Sequence, residues 1–61
     1  MNNSQIIATH ENETLSLEPT GTLRLRIDSE ITYPTAETAL LWLQFRALDT
    51  DENIAQIIEI N

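Results

Sequence analysis

Residues 14–28, TLSLEPTGTLRLRID, alternate apolar and polar side chains on both sides of a short polar break. Pro19 suits the second position of a tight turn, and Gly21 suits the left-handed position that closes a three-residue hairpin loop. Because the leucines then share one face and the polar side chains the other, this segment predicts a β-hairpin. The predicted cross-strand pairs are Leu17 with Leu23, Ser16 with Arg24, Leu15 with Leu25, and Thr14 with Arg26.

The flanking segments predict one more strand and a helix. Residues 5–10 have the composition of a short strand, joined to the hairpin through polar residues 11–13. After the hairpin, residues 28–30 are expected to end the strand pairing. Thr35 is the expected N-cap of a helix over 35–48, and Arg46 lies near its end with the sign that the helix dipole favours.

The C-terminal segment, residues 51–60, carries two competing patterns. Its β-branched run at 57–60 favours a strand, which is our preferred interpretation. Ile54, Ile57 and Ile58 also have helical spacing, and Asp49 or Thr50 can cap a second short helix. The choice between the two structures stays open on sequence alone.

These patterns predict a single small domain over residues 1–61, of the α+β class. The expected architecture is an antiparallel sheet of three to four strands, including the hairpin 14–28, with one helix (about 35–48) packed on it. The alternative is a β-hairpin followed by two helices. A chain of 61 residues without cysteine has a marginal core, so a partner or a second copy is a natural source of further burial.

The charge balance restricts the kind of partner. Ten carboxylates face three arginines, which gives a net charge of −7. Such a charge repels phosphate backbones and anionic lipid, so we expect no nucleic-acid binding and no membrane attachment. A basic protein partner fits the sign better. No apolar run approaches the roughly 20 residues that span a bilayer, and the first residues do not resemble a signal peptide, so we expect a cytoplasmic protein.

The predicted helix carries two apolar stripes when it is drawn at about 100° per residue. Ala36, Ala39, Leu40, Leu43 and Ala47 form the first, and Leu41, Trp42, Phe45 and Leu48 form the second. A helix on a small sheet needs one stripe, so the other is available for a protein partner or for self-association. The sequence does not decide which stripe faces inward. The predicted partner-binding residues are Leu41, Trp42, Phe45 and Leu48 on the helix, with Ile57 and Ile60 on the C-terminal strand.

Catalytic and metal chemistry find little support in the sequence. There is no cysteine, and His10 is the only histidine, so nucleophilic catalysis lacks its usual pairs. Residues 49–53, DTDEN, resemble the opening of an EF-hand calcium loop, but Ile54 replaces the turn glycine and Ile60 the bidentate glutamate. Arg24 and Arg26 share the exposed hairpin face, where we expect solvation and links to carboxylates such as Glu18. We expect no enzyme, catalytic residue, metal or cofactor.

Two functions remain as predictions. The preferred one is a non-enzymatic acidic protein–protein interaction module, either a homodimer or an inhibitor or regulator of a larger protein. Small acidic inhibitors, antitoxin-like partners and phage proteins that modify their host all fit this description. The alternative is an acidic nucleic-acid mimic, a decoy that blocks a nucleic-acid-binding protein with its carboxylates. Binding by a decoy weakens steeply as salt rises, whereas binding by an apolar stripe does not.

Overall fold

A computed structural model describes residues 3–59 as a four-stranded antiparallel sheet followed by two helices. The α+β class and the antiparallel sheet are confirmed. The strands follow one another in the order β1-β2-β3-β4. The elements are β1 (Gln5–His10), β2 (Glu13–Leu17), β3 (Leu23–Ile27), β4 (Glu30–Thr32), α1 (Ala36–Phe45) and α2 (Asp51–Ile58).

The central hairpin β2–β3 has the predicted register. Leu17 pairs with Leu23, and the remaining pairs follow as expected. Gly21 has a φ of +90°, and its amide donates to the Glu18 carbonyl at 2.8 Å, which closes the turn. The leucine face is turned inward, since Leu15 is fully buried. The turn residues and the alternating pattern therefore act together to set this register.

The two outer strands depart from simple alternation. In β1 the pairing shifts between Ile6 and Ala8, so that Ile7 and Ala8 are both buried in the core. Such a bulge lets one strand turn two neighbouring side chains to the same side. β4 was not predicted, because the segment after the hairpin was expected to end the pairing. Instead, a two-residue loop at Asp28 returns the chain against β3.

Two short loops at the same end of the sheet support each other. The loop between β1 and β2 begins at Glu11 with a φ of 52°, and the loop between β3 and β4 begins at Asp28 with a φ of 57°. A positive φ at the first loop residue is typical of tight hairpin turns that match the strand twist. The Asp28 amide donates to the Asn12 carbonyl at 3.1 Å, and the Asn12 amide group donates to the Asp28 carboxylate.

α1 begins where predicted and ends earlier than predicted. Thr35 is its N-cap, and the hydroxyl oxygen accepts from the Thr38 amide at 3.1 Å. Beyond the C-cap, Ala47 adopts a φ of 58°. Its amide donates to the Gln44 carbonyl at 3.1 Å, and the Leu48 amide donates to the Leu43 carbonyl at 2.8 Å. These two bonds form a Schellman motif, which stops the helix before Leu48 although the residue at the left-handed position is not glycine.

The preferred strand over residues 51–60 is wrong for the described part of that segment, which is α2, as the two-helix alternative has it. Thr50 is the N-cap and accepts from the Asn53 amide at 3.2 Å, while the Asn53 side chain donates to the Leu48 carbonyl at 2.8 Å. Asp51 and Glu52 add negative charge to the first turn, which the helix dipole favours. These capping contacts outweigh the β-propensity of the isoleucines.

The hydrophobic core lies between one face of the sheet and the two helices. Its sheet side comes from β1, β2 and β3, and its helix side is Ala39, Trp42, Leu43 and Ile57. Ala36, Leu40 and Leu48 pack at its margin. The alanine-containing stripe of α1 therefore faces the core, and Trp42 from the other stripe joins it. The opposite face of the sheet carries no helix among the described residues.

Candidate functional site

Two exposed apolar residues of α1, Leu41 and Phe45, form together with Gln44 a surface that we call the α1 outer surface. Leu41 is 51% exposed, and Phe45 is 84% exposed, the highest value among the large apolar residues of the described chain. The three side chains line a shallow groove of about 370 Å³. Position 41 lies about 160° around the helix from Leu43, so the surface points away from the sheet.

The other predicted partner-binding residues have different positions. Trp42 is only 8% exposed, Leu48 is half-buried against the core, and Ile57 is fully buried. Ile60 lies outside the described residues. The structure thus brings Leu41 and Phe45 together on a free surface. Trp42 and Ile57 are committed to the core, so neither side chain is available to a partner in this conformation.

A buried carboxylate anchors α1 to the sheet just behind this surface. Glu13, at the start of β2, is 8% exposed. Its Oε1 accepts from the Trp42 indole at 2.6 Å and from Arg46 Nε at 3.1 Å, and its Oε2 accepts from Arg46 Nη2 at 2.7 Å. This two-point contact with a guanidinium is the strong form of an ion pair. Both ends of the last helical turn are therefore held against β2.

The same contacts set the protonation of Glu13. The hydrogen bond from Trp42 lowers the pKa of its carboxyl, and the hydrogen bond and charge of Arg46 lower it further, with a smaller contribution from His10. Burial raises the pKa in the opposite sense, but the net shift is downward. Glu13 is thus an anion at neutral pH, matched by Arg46.

Sequence reasoning placed Glu13 in a polar turn and did not identify this anchor. One signal was present: Glu13 has the same strand parity as Leu15 and Leu17, which places it on the inward face. Trp42 and Arg46 are four residues apart, which places both on one side of a helix. The two partners of Glu13, Trp42 and Arg46, lie 29 and 33 residues further along the chain. No local sequence pattern predicts a contact over that separation.

The exposed charges of α1 are negative. Glu37 lies one turn before Leu41 on the same side of the helix, and it is exposed. Arg46, which is the only cation between Ala36 and Leu48, is engaged by Glu13. The α1 outer surface therefore combines an aromatic and an aliphatic side chain with a neighbouring carboxylate and without a free cation.

The histidine and the acidic groups do not assemble into a metal centre in the part of the chain that the structure describes. Within residues 3–59, no group of three or more histidine or acidic side chains is placed to hold a metal ion. His10 Nε2 lies 3.8 Å from the Glu11 carboxylate. Residues 49–53, which resemble the opening of a calcium loop, include the residues that cap α2: Thr50 and Asn53 make its capping contacts.

Comparison of the chain with protein families, with curated proteins and with solved structures finds no match. Neither helix within residues 3–59 has the length and apolar character that a membrane crossing requires.

Proposed function

We propose that this protein is a non-enzymatic interaction module that binds a basic protein partner through the α1 outer surface. The observation that carries the proposal is the exposure of Phe45, at 84%, beside Leu41 in a groove. Aromatic side chains that fill a partner's pocket supply a large share of the binding free energy in protein interfaces. The rigid anchor at Glu13 holds this surface in place before binding, which lowers the entropic penalty of association.

Charge complementarity selects the partner. The chain has a net charge of −7, and the α1 outer surface has Glu37 at one end and no free cation within the described helix. Two copies of this chain carry the same net charge, so their electrostatic interaction is repulsive at separations up to about a Debye length. A protein with an apolar cleft bordered by lysine or arginine is complementary to this surface, because the cleft accommodates Phe45 and the basic side chain pairs with Glu37. We therefore assign the surface to such a partner in preference to a second copy.

The first experiment uses site-specific photo-crosslinking from position 45 in cells that make the protein. The full-length chain carries a photoreactive phenylalanine analogue in place of Phe45, and a matched variant carries it at Thr20, which is exposed in the β2–β3 turn. We expect a discrete heterologous adduct from position 45 and none from position 20. An adduct with a second copy of the chain overturns the assignment to a basic partner.

The second experiment measures affinity with the purified partner. Phe45→Ala is expected to weaken binding tenfold or more, which is the scale of an interface hot spot. The control, Ile6→Ala, truncates another apolar side chain, 62% exposed on the opposite face of the sheet, and is expected to leave affinity unchanged. Affinity that is insensitive to Phe45→Ala contradicts the proposal. If that affinity also falls steeply between about 0.05 and about 0.5 M salt, the result supports the acidic-decoy alternative.

A further inference from the structure

The face of the sheet opposite the helices contains a second concave site. Its pocket has a volume of about 320 Å³ and is lined by Ser4, Ile6, Thr14, Ser16, Arg24 and Arg26. The strand register explains this grouping. Ile6 pairs with Ser16 and Ser16 with Arg24, so these three side chains form one row across β1, β2 and β3. Thr14 and Arg26 form the next row along the strands.

The two arginines of this pocket are not neutralised by the surrounding carboxylates. Solvation and links to groups such as Glu18 were expected, but within residues 3–59 neither Arg24 nor Arg26 forms an ion pair. The Glu18 carboxylate instead accepts from the Ser4 hydroxyl at 2.5 Å, at the rim of the pocket. Arg26 Nε donates to the backbone carbonyl of Asp28 at 3.0 Å. The expected ion pairing is therefore wrong for the described chain.

Arg24 has the more unusual environment. Its Nε is buried and has no hydrogen-bond partner within residues 3–59. In a protein with ten carboxylates and three arginines, an arginine whose Nε is buried without an acceptor is unexpected, because a buried donor without an acceptor is destabilising. Because this Nε has no contact with solvent, an acceptor from outside the chain removes this penalty only if the Arg24 side chain moves to meet it.

We propose that this pocket binds a small organic molecule through its phosphate group. Planar guanidinium groups match phosphate oxygens in pairs, and Arg24 and Arg26 lie two residues apart on one face of β3. The hydroxyls of Thr14 and Ser16, on β2 opposite Arg26 and Arg24, add donors beside them. Ile6 forms an apolar wall beside these polar groups, and the pocket volume lies at the lower end of the roughly 300–1,000 Å³ of small-molecule sites.

The overall charge of the chain favours a small ligand over a nucleic acid. A single phosphate group in the pocket lies next to two arginines. A polynucleotide also experiences the negative electrostatic potential of the rest of a chain with net charge −7. Repulsion by that field grows with each phosphate of a polymer that extends beyond the pocket. The ligand class is therefore a phosphate monoester with an apolar or aromatic portion next to Ile6.

The test follows the arginine Nε–H signals of the full chain by ¹⁵N–¹H NMR. Only three such signals exist, because the chain has three arginines, and that of Arg46 is an internal control since its Nε is bonded to Glu13. Titration with inorganic phosphate is expected to shift the signals of Arg24 and Arg26 to saturation and to leave that of Arg46 in place. Sodium chloride at equal ionic strength is expected to give no saturable shift. Phenyl phosphate is expected to bind more tightly than inorganic phosphate because of Ile6.

Two variants with equal net charge separate the site from the general field. Arg24→Gln is expected to weaken phenyl phosphate binding at least tenfold. Thr38→Glu changes the net charge by the same amount on α1, completes a capping box with Thr35, and is expected to leave the affinity unchanged.

Equal losses in both variants, or parallel shifts of all three arginine signals, overturn the proposal. Equal binding of benzoate overturns the phosphate assignment, and tighter binding of a short single-stranded oligonucleotide overturns the small-molecule assignment. Phe45→Ala is expected to leave this binding intact, so the two sites are tested independently.

Discussion

Leu41 and Leu43 form a matched pair that tests which side of α1 faces the core. Both are leucines in the interior of the same helix, two positions apart, but Leu43 is fully buried and Leu41 is 51% exposed. Substitution of each by alanine changes the helix propensity by the same small amount. A difference in stability between the two variants therefore measures burial alone.

The expected magnitudes differ by several fold. Leu43→Ala removes a fully enclosed side chain and leaves a cavity, which costs about 2–5 kcal/mol in well-packed cores. A chain of 61 residues has a total stability of roughly 3–9 kcal/mol at about 0.05–0.15 kcal/mol per residue. Taking about 3 kcal/mol, the melting temperature falls by roughly 12–24 °C. Leu41→Ala is expected to change stability by at most about 0.5 kcal/mol, which is typical of surface positions.

Urea denaturation followed by far-UV circular dichroism and by fluorescence measures both variants. Trp42 is the only tryptophan and is buried beside Glu13, so its emission reports loss of the core. The denaturant midpoint is expected to fall for Leu43→Ala with an unchanged slope and to stay in place for Leu41→Ala. Equal destabilisation by the two substitutions, or a larger effect of Leu41→Ala, would refute the orientation of α1 and with it the α1 outer surface.

Two further predictions concern the C-terminal end of α1. The pKa of Glu13 in the folded protein is lowered from its ordinary value of 4.5. The contribution of ionised Glu13 to stability is therefore complete above that value and is lost as the pH falls through the folded pKa. The urea midpoint of Glu13→Gln is expected to fall less on acidification than that of the unmodified protein, and an equal fall contradicts the anchor. Ala47 has a left-handed backbone with a φ of 58°, so Ala47→Gly is expected to stabilise the protein by about 0.5–1 kcal/mol. The control Ala55→Gly, at an exposed interior position of α2, is expected to destabilise by about 1 kcal/mol, and the same sign in both variants would contradict the Schellman assignment.

The β2–β3 hairpin could be predicted in full because two independent signals agree. The turn at Pro19 and Gly21 sets one register, and the leucine pattern requires the same one. The N-cap Thr35 could be predicted for the same reason, since a capping side chain and the following apolar periodicity coincide. Where local signals agree, sequence determines structure over a short range.

The features that were missed depend on contacts between distant residues or on unusual backbone conformations. β4 follows a two-residue turn in which Asp28 has a positive φ. Aspartate tolerates this conformation, but it occurs in many kinds of turn, so it does not by itself predict that the chain returns as another strand. α2 has both strand and helix signals, and the choice depends on its cap at Thr50 and on burial of Ile57. The end of α1 depends on a left-handed alanine, which has a low prior probability at that position. In each case, a specific capping contact, turn conformation or burial overrides a weak residue preference.

The two proposed sites lie on different sides of this small protein. The two arginines without ion pairs in the described chain lie on the open sheet face, whereas the α1 outer surface is flanked by Glu37 and lies on the helix side. A basic protein docked on α1 would not cover the pocket of Arg24 and Arg26, because the sheet and the core lie between them. Both sites can therefore be occupied together. A phosphate ligand would add negative charge to the protein. Any further change in the affinity of the protein partner would pass through β2, which carries Ser16 on the open face and Glu13, the anchor of α1, on the other. Measuring partner affinity with and without phenyl phosphate tests this coupling, and equal affinities would mean that β2 is too rigid to transmit it.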